Sequence, residues 1–168
     1  MYFSIIAAVD QKMGIGINNR LPWDIKADLK HFSDITIGHK NNAVVMGWNT
    51  WQSLPKKFRP LKNRLNVVLT KDKNVVLPDN VLNFESFDQA LNELEHRNIE
   101  EIFIIGGGRL YATTIAHPFC KKIYLTEIQK TFDCDIFFPP IPPVFKKTEE
   151  SNLQSENDYQ FRYVIYEQ

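Results

Sequence analysis

Asp28 lies where the sequence pattern favours an apolar side chain. The segment after Leu21-Pro22-Trp23 is predicted to form a helix whose core face carries Ile25, Leu29 and Phe32. Asp28 falls on that same face, and a buried carboxylate is costly unless a partner satisfies it. The neighbouring segments offer no obvious Lys or Arg there. Two explanations stay open: a ligand that brings N–H donors or positive charge, or a structural Asp bonded to backbone amides or to a distant Thr.

A run of three glycines, Gly106-Gly107-Gly108, follows a predicted buried strand and precedes a predicted helix that starts at Arg109. Glycine is needed where the backbone must approach a phosphate closely or adopt a positive φ. Backbone N–H groups at such a turn, with the Arg109 side chain beside them, would suit an anion. The spacing matches neither the dinucleotide fingerprint nor the P-loop. The run therefore indicates either a phosphate site or a plain tight turn.

Basic residues are concentrated just before a predicted strand that begins at Leu65. For the lysines we favour a solvated loop. Arg64 differs because it directly precedes the strand and is therefore held on a rigid element. A fixed guanidinium suits a carboxylate, and a charged hydrogen bond contributes about 1.5–3 kcal/mol, so Arg64 is predicted to select a ligand with a carboxylate tail. The basic residues are Lys56, Lys57, Arg59, Lys62 and Arg64.

Composition excludes several other functions. The chain has 168 residues with 20 basic and 20 acidic side chains, so no global field draws it toward nucleic acid or an anionic membrane. The four histidines show no zinc-type spacing, and we expect no metal site. Cys120 and Cys134 are more typical of a reducing compartment than of a disulfide framework. We find no apolar run long enough to span a membrane and no signal peptide, and we expect a cytoplasmic protein.

Short apolar runs alternate with helical stretches, which predicts a single α/β domain over residues 1–168. We expect a central, mostly parallel mixed β-sheet with helices on both faces and an antiparallel C-terminal hairpin. Predicted strands cover residues 2–9, 43–46, 65–69 and 102–105, with weaker strands near Val75 and Val76 and at 81–84 and an antiparallel pair at 123–128 and 161–166. Predicted helices cover the Asp28 segment, residues 50–54, a segment capped by Ser86 that runs through Leu94, and residues 109–115.

Ligands bind beyond the carboxyl ends of parallel strands, so this topology gathers distant segments into one place. Ala7 and Ala8 end the first strand, Gly47 and Thr50 follow the second, and the glycine run follows a later one. The two alanines would leave room for a flat ligand above the sheet. Close packing of a helix on the sheet explains them equally well.

Several short motifs occur in an order that resembles dihydrofolate reductase, and the resemblance covers essentially the whole chain. Each motif is weak alone, but their joint occurrence is specific. They are Met13-Gly14-Ile15-Gly16, Leu21-Pro22-Trp23, Asp28, Met46-Gly47, Thr50-Trp51, Arg64, residues 105–111 and residues 135–139.

The resemblance implies reduction of dihydrofolate to tetrahydrofolate by hydride transfer from NADPH. Asp28 would bind the 2-amino and N3 groups of the pterin and favour protonation of N5. Leu21, Trp23 and Thr126 would complete the catalytic set, with Thr126 hydrogen-bonded to Asp28, and Arg64 would hold the glutamate carboxylate of the substrate. The remaining substrate-binding residues would be Ile6, Ala7, Leu29, Phe32, Leu54 and Ile105.

The resemblance also implies where the cofactor would bind and what would cover it. The loop from Asp10 to Trp23 resembles a mobile lid over the nicotinamide, and the Gly106-Gly107 peptide is cis in the family. We expect a monomer that binds dihydrofolate and antifolate inhibitors, with no nucleic acid or membrane partner. The cofactor-binding residues would be Ala8, Ile15, Gly47, Trp48, Asn49, Thr50, Leu69, Thr70, Lys71, Gly106, Gly107, Gly108, Arg109, Leu110 and Tyr111.

One departure from the family concerns the 2′-phosphate of the cofactor. Family members commonly place basic residues where this chain has Trp48 and Asn49, and some place an Arg where it has Glu85. We hypothesise a weaker preference for NADPH over NADH, with Lys71 providing most of the remaining discrimination and Trp48 stacking on adenine.

Two rival functions share parts of this pattern. The reductase domain of riboflavin biosynthesis has a similar architecture but should lack the acid on the helix after Trp23. A non-catalytic nucleotide-binding module would need neither Asp28 nor Arg64. Binding of methotrexate would separate both from the leading interpretation.

Overall fold

A central β-sheet flanked by helices dominates the computed structural model, which describes residues 1–39 and 41–168. The strands are β1 (Phe3–Val9), β2 (Gly14–Gly16), β3 (Ala43–Gly47), β4 (Leu65–Leu69), β5 (Val81–Phe84), β6 (Ile102–Ile104), β7 (Cys120–Ile128), β8 (Ile136–Phe137), β9 (Lys146–Glu150), β10 (Gln154–Glu156) and β11 (Tyr159–Glu167). The helices are α1 (Lys26–Ile37), α2 (Trp48–Ser53), α3 (Phe87–Glu95) and α4 (Gly108–Thr114), with a 3₁₀ turn at Lys56–Phe58.

The main sheet has the order β10-β11-β7-β1-β6-β3-β4-β5, and β9 also pairs with β11. From β7 to β5 every neighbouring pair is parallel, whereas β11 runs antiparallel to β7, β9 and β10. The predicted fold class, a mostly parallel sheet with an antiparallel C-terminal hairpin, is confirmed. Within the described residues, no helix has the length and hydropathy needed to cross a membrane.

The central strands are buried on both faces, which explains their nearly continuous apolar sequences. Alternate residues point to opposite sides: Val45 and Ile104 join one cluster of buried side chains, and Val44 and Phe103 join another. Short parallel strands therefore hold the backbone rigidly at the edge of the sheet where they end.

Two sequence-based expectations about secondary structure were wrong. Residues Val75 and Val76 form no strand, and Val76 is 91% exposed. The apolar run Val75-Val76-Leu77 is short and is ended by Pro78, and the edge of β4 is already occupied by β5. The helix expected at 50–54 begins two residues earlier and ends before Leu54. The short strands β2, β8, β9 and β10 were not predicted. β2 contains two glycines, and the residues of β8 and β9 are exposed, so these three lack the apolar pattern that indicates a strand.

The expected core face of α1 was also wrong in one respect. Leu29 is 50% exposed, and Ile25, although buried, precedes the helix. Because Ile25 is the N-cap, the helical spacing cannot be counted from it. The face toward the sheet instead carries Asp28, Phe32 and Thr36, at intervals of four residues.

Candidate active site

The carboxyl ends of β1, β3 and β6 meet at one edge of the sheet, as the topology predicted. The amide of Gly47, at the end of β3, donates to the carbonyl of Gly106 at 2.8 Å. The amide of Ile105 donates to Val45 at 3.0 Å, so the two segments run side by side to this edge. The glycine run therefore lies at the same edge of the sheet as Ala8, whose partner in register, Thr126, is hydrogen-bonded to Asp28.

Asp28 is 8% exposed and lies in the first turn of α1. The Thr126 hydroxyl donates to its Oδ1 at 2.6 Å, and Thr126 is buried in β7, in register with Ala8 of β1. Among the described residues Thr126 is the only hydrogen-bond partner of this carboxylate. Burial raises the pKa of Asp28, and the hydrogen bond from Thr126 offsets part of that rise. The second carboxylate oxygen is therefore left for a ligand.

Trp23 supplies an unpaired donor near this carboxylate. Its indole Nε1 is buried and has no hydrogen-bond partner within the described part of the chain. Trp23 and Asp28 both line a cavity of about 30 Å³, together with Leu21, Ile25 and neighbouring residues. That volume holds a single water molecule, which needs polar partners such as the indole N–H and the carboxylate.

The N-terminus of α1 is capped by a residue that no sequence motif identified. Glu156, in β10, accepts from the amides of Lys26 at 2.6 Å and Ala27 at 2.9 Å. A carboxylate is favourable at a helix N-terminus, where backbone amides lack partners. The preceding residue, Ile25, has no side chain that can cap. Because Glu156 is about 130 positions away, only the tertiary structure brings it to the turn that carries Asp28.

Apolar side chains form the wall beside Asp28. Ile6, Phe32, Leu54 and Ile105 belong to one cluster, which places four predicted substrate-binding residues together. Leu29 and Leu21 are exposed next to it, at the mouth of the small cavity. Ala7 packs on the other side of the sheet. Leu29 was expected in the core, but its exposure suits a side chain at the rim of a binding cleft.

Arg64 is positioned at the far end of this wall. Its guanidinium donates to the Thr36 hydroxyl and to the Lys62 carbonyl, the latter at 3.0 Å, and it lies over the Phe32 ring at 5.5 Å. Burial lowers the pKa of Arg64 to about 10, and the side chain remains charged at neutral pH. No carboxylate pairs with it anywhere in residues 1–39 or 41–168. Arg64 is thus a fixed, half-buried cation on the same side of the sheet as Asp28.

Asn66 supports Arg64 and was missed in the sequence. This buried side chain accepts from the amide of Leu61 at 2.9 Å and donates to the carbonyls of Leu61 and Arg64 at 2.8 and 3.0 Å. It therefore fixes the turn that precedes β4. A polar residue inside an apolar strand was a usable signal, since buried amides need such partners.

The glycine run forms a tight cradle beside Thr50. A Cβ added at Gly107 would lie 3.2 Å from the Thr50 hydroxyl, and one at Gly106 would lie 3.2 Å from the Tyr111 hydroxyl. The Gly106–Gly107 peptide is cis, as the resemblance implied, and Gly106 has a φ of +117°. Tyr111 is buried and donates to the Ile6 carbonyl at 2.8 Å. The neighbouring side chains thus leave little room for a larger residue at Gly106 and Gly107.

The predicted lid is closed against the β7–β8 region. β2 pairs with β8, and the Asn18 amide donates to Asp135 at 2.9 Å. At the base of the loop, the buried Asp10 accepts from the amides of Gly14 at 2.7 Å and Phe132 at 2.9 Å. Asp10 was not identified in the sequence. Ile15 extends from β2 to within 3.8 Å of the position a Cβ would take at Gly108.

The remaining predicted cofactor-binding residues are spread along the same edge. Leu69 and Leu110 pack into the core, whereas Asn49, Lys71 and Arg109 are exposed. Trp48 packs in the cluster that contains Trp51. A second, larger cleft of about 420 Å³ opens beside Thr70, at the ends of β4 and β5, and Lys71 and Trp48 are not among its lining residues.

Comparison with known proteins gives one family. A family model described as dihydrofolate reductase matches residues 2–168. The chain is 41% identical to "Dihydrofolate reductase" of Heliothis virescens, over 97% of this chain and 93% of that protein, and 42% identical to that of Drosophila melanogaster, over 98% and 97%. It is also 39% identical to "Bifunctional dihydrofolate reductase-thymidylate synthase 1" of Arabidopsis thaliana, over 98% of this chain and 34% of that protein. By fold and similarity, this chain belongs to the dihydrofolate reductase family.

Proposed function

We propose that this protein reduces 7,8-dihydrofolate to 5,6,7,8-tetrahydrofolate with NADPH, and so supports one-carbon and thymidylate metabolism. The observation that carries the proposal is the buried Asp28 carboxylate, which has one hydrogen bond from Thr126 and faces a cleft with apolar walls. A buried acid without a cationic partner is explained when a ligand supplies donors to it.

Asp28 would hold the pterin ring through two hydrogen bonds. The 2-amino group and N3–H of the ring are adjacent donors, and a carboxylate offers two oxygens at matching spacing. Ile6, Phe32, Leu54 and Ile105 would enclose the apolar body of the substrate. Arg64 would pair with the glutamate α-carboxylate at the other end, and the preformed contacts with Thr36 and Lys62 would keep the guanidinium in place.

The proton delivered to N5 would pass through the cavity beside Asp28. A water held there by the Trp23 indole N–H and the Asp28 carboxylate would reach the pterin edge. The raised pKa of Asp28 makes this carboxyl a better proton donor near neutral pH than an ordinary Asp. The lid residue Leu21, at the mouth of the cavity, would limit access of bulk water.

The residues at the glycine cradle fit a dinucleotide cofactor, because glycine adds no side chain beside the backbone amides and Thr50 offers a hydroxyl next to them. Bound NADPH would supply the hydride, transferred from nicotinamide C4 to pterin C6. Ala8 and Ile15 would pack against the nicotinamide, and Thr50 with Gly107 and Gly108 would bind the phosphates. Holding both rings face to face converts a bimolecular reaction into a positioned one, an effect of up to about 7–11 kcal/mol.

We further propose that the enzyme acts as a monomer in the cytoplasm. One chain supplies every residue assigned to the site, so no partner subunit is needed to complete it. Cys120 and Cys134 are both free thiols, which is consistent with a reducing compartment.

The test is the oxidation of NADPH by the purified protein, followed by absorbance with and without dihydrofolate. We expect substrate-dependent turnover that methotrexate blocks, because its protonated diaminopteridine pairs with Asp28. Turnover without this inhibition would remove Asp28 from ring binding. No turnover by folded protein, with either nicotinamide cofactor, would refute the proposed function.

A further inference from the structure

The helical turn that carries Asp28 is held by a strand distant in sequence. Asp28 is the third residue of α1, and the amides of the first two residues, Lys26 and Ala27, have no acceptor within a helix that starts there. Both amides donate to Glu156 of β10, at 2.6 Å and 2.9 Å, one to each oxygen of its carboxylate. The proposed reaction uses Asp28 but gives no role to Glu156.

A second residue of the same hairpin holds Ala27 by its other backbone group. The Tyr163 hydroxyl, on β11, donates to the Ala27 carbonyl at 3.2 Å. The Tyr163 ring also stacks on the imidazole of His31, one turn further along α1, with ring centroids 3.6 Å apart. In the sheet, Tyr163 pairs in register with Thr126, which donates to Asp28. The C-terminal hairpin therefore fixes the residue before Asp28 and lies beside its hydrogen-bond donor.

The cap formed by Glu156 also removes a competing partner for Asp28. An acid in the first turn of a helix is attracted to the free amides and the positive end of that helix. Asp28 is such an acid, so it would compete for the amides of Lys26 and Ala27 if Glu156 were absent. With those amides already satisfied, Asp28 accepts from Thr126 and keeps its second oxygen for a ligand.

The charge of Glu156 acts on Asp28 in the same direction as burial. The positive end of α1 favours an ionised Asp28, and the Glu156 carboxylate offsets part of that effect. Burial raises the pKa of Asp28. The other titratable groups around it are Asp24, which lines the small cavity, and the stacked His31 and Tyr163. Burial lowers the pKa of His31 and raises that of Tyr163, so His31 is the neighbour to separate in a pH profile.

We propose that Glu156 is a positioning residue for Asp28: by capping α1 it holds the first turn and keeps the Asp28 carboxylate directed at the substrate instead of the helix amides. Tyr163 supports the same turn from β11. The role in turnover rests on the proposed function, whereas the cap itself is a property of the ligand-free protein.

The first experiment measures hydrogen exchange of backbone amides by NMR in the ligand-free protein, which requires no turnover. Glu156→Gln keeps the size of the side chain but removes its charge and one accepting oxygen. We expect the amides of Lys26 and Ala27 to exchange about tenfold faster, because a charged hydrogen bond is lost. Asp158→Asn is the matched control, since it removes an exposed acid from the turn of the same hairpin. Unchanged exchange in Glu156→Gln, or equal acceleration in Asp158→Asn, would overturn the proposal.

The second experiment measures kcat/KM for dihydrofolate in Glu156→Gln between pH 5 and 8. We expect a fall of about tenfold, because Asp28 is less well placed. The limb of the profile that reports Asp28 should move to lower pH by about half a unit, since the positive end of α1 is no longer offset. A packing defect alone would lower the rate without moving the limb. Asp158→Asn should change neither quantity, and an unmoved limb in Glu156→Gln would overturn the positioning role.

His31→Gln shows which group produces the limb. The shift caused by Glu156→Gln should persist when both substitutions are combined, and its disappearance would assign the limb to His31 and refute the inference.

The two experiments also separate the inference from the function beneath it. Faster exchange at Lys26 and Ala27 in a protein that reduces no dihydrofolate would refute the proposed function and keep the cap. Normal turnover with an unmoved limb in Glu156→Gln would keep the function and refute the inference.

Discussion

Beside the small cavity under the lid, Asp28 is 8% exposed and accepts a hydrogen bond from the buried Thr126. In the separate cleft beside Thr70, Glu85 is 53% exposed and pairs with the exposed Lys73. The first carboxylate is held where water is scarce, so each polar contact has a large effect on its ionisation. The second is surrounded by solvent, where ion pairs contribute about 0–1 kcal/mol. We infer that the buried carboxylate, rather than the exposed one, determines the chemistry.

The largest expected effect is on turnover in Asp28→Asn. Losing the acid should reduce kcat at neutral pH by about 100- to 10,000-fold, the range typical of general acid–base groups. Activity should recover partly in acid, where solvent protonates N5. Steady-state rates between pH 5 and 8 measure this. Asp34→Asn, an exposed acid on the same helix, is the control. Unchanged turnover in Asp28→Asn would end the proposed mechanism.

Arg64→Leu should come next in size. Loss of a charged contact to the substrate carboxylate should raise KM for dihydrofolate by about 10- to 100-fold, with a much smaller change in kcat. Lys57→Leu removes an exposed cation from the same loop and should leave KM nearly unchanged. A fall in kcat with KM constant would remove Arg64 from tail binding.

Thr126→Val tests how Thr126 positions the Asp28 carboxylate. Because the Thr126 hydrogen bond lowers the pKa of Asp28, its loss should raise that pKa further. The limb of the pH–rate profile that reports Asp28 should move to higher pH, and kcat/KM should fall by about tenfold. Thr126→Ser keeps the hydroxyl and should restore the profile. A fall in rate without any movement of the profile would indicate a packing defect instead.

The smallest expected effect is on stability, and it has the opposite sign to the effect on activity. The folded chain raises the pKa of Asp28, so as pH rises the unfolded state loses its proton first and the ionised acid destabilises the native state. Asp28→Asn should therefore increase the free energy of unfolding at neutral pH by about 1–2 kcal/mol. The gain should vanish in acid below the ordinary pKa of Asp. Urea unfolding at both pH values measures it, and a loss of stability at neutral pH would contradict the assignment.

Much of the fold was predictable because its signals are local. Val44, Val45 and Met46 form a continuous apolar run, which is what a strand buried on both faces requires. Ser86 has the side chain of an N-cap, and α3 begins directly after it. Val75 and Val76 carried the same strand signal, but the edge of β4 is taken by β5, and which strand occupies an edge is a property of the whole sheet.

The candidate site divides in the same way. Asp28 was found because an acid on an apolar helix face is unusual within a few residues of sequence. Asp10 and Asn66 were missed although each accepts from a backbone amide only four or five positions away. Glu156 was not found because the amides that it accepts from are about 130 positions away and meet it only on folding. A polar side chain gives no sign in sequence of which distant amide it will meet.

The sequence by itself determined the alternation of strands and helices, the acid on α1, the cation before β4 and the glycines after β6. These depend on periodicity, backbone freedom and charge, which are properties of residues and their near neighbours. Only the tertiary structure decided that Thr126 meets Asp28, that Leu29 faces the cleft, and that Lys73 rather than Lys71 approaches Glu85. Those outcomes depend on strand register and helix placement, which the packing of the entire core fixes together.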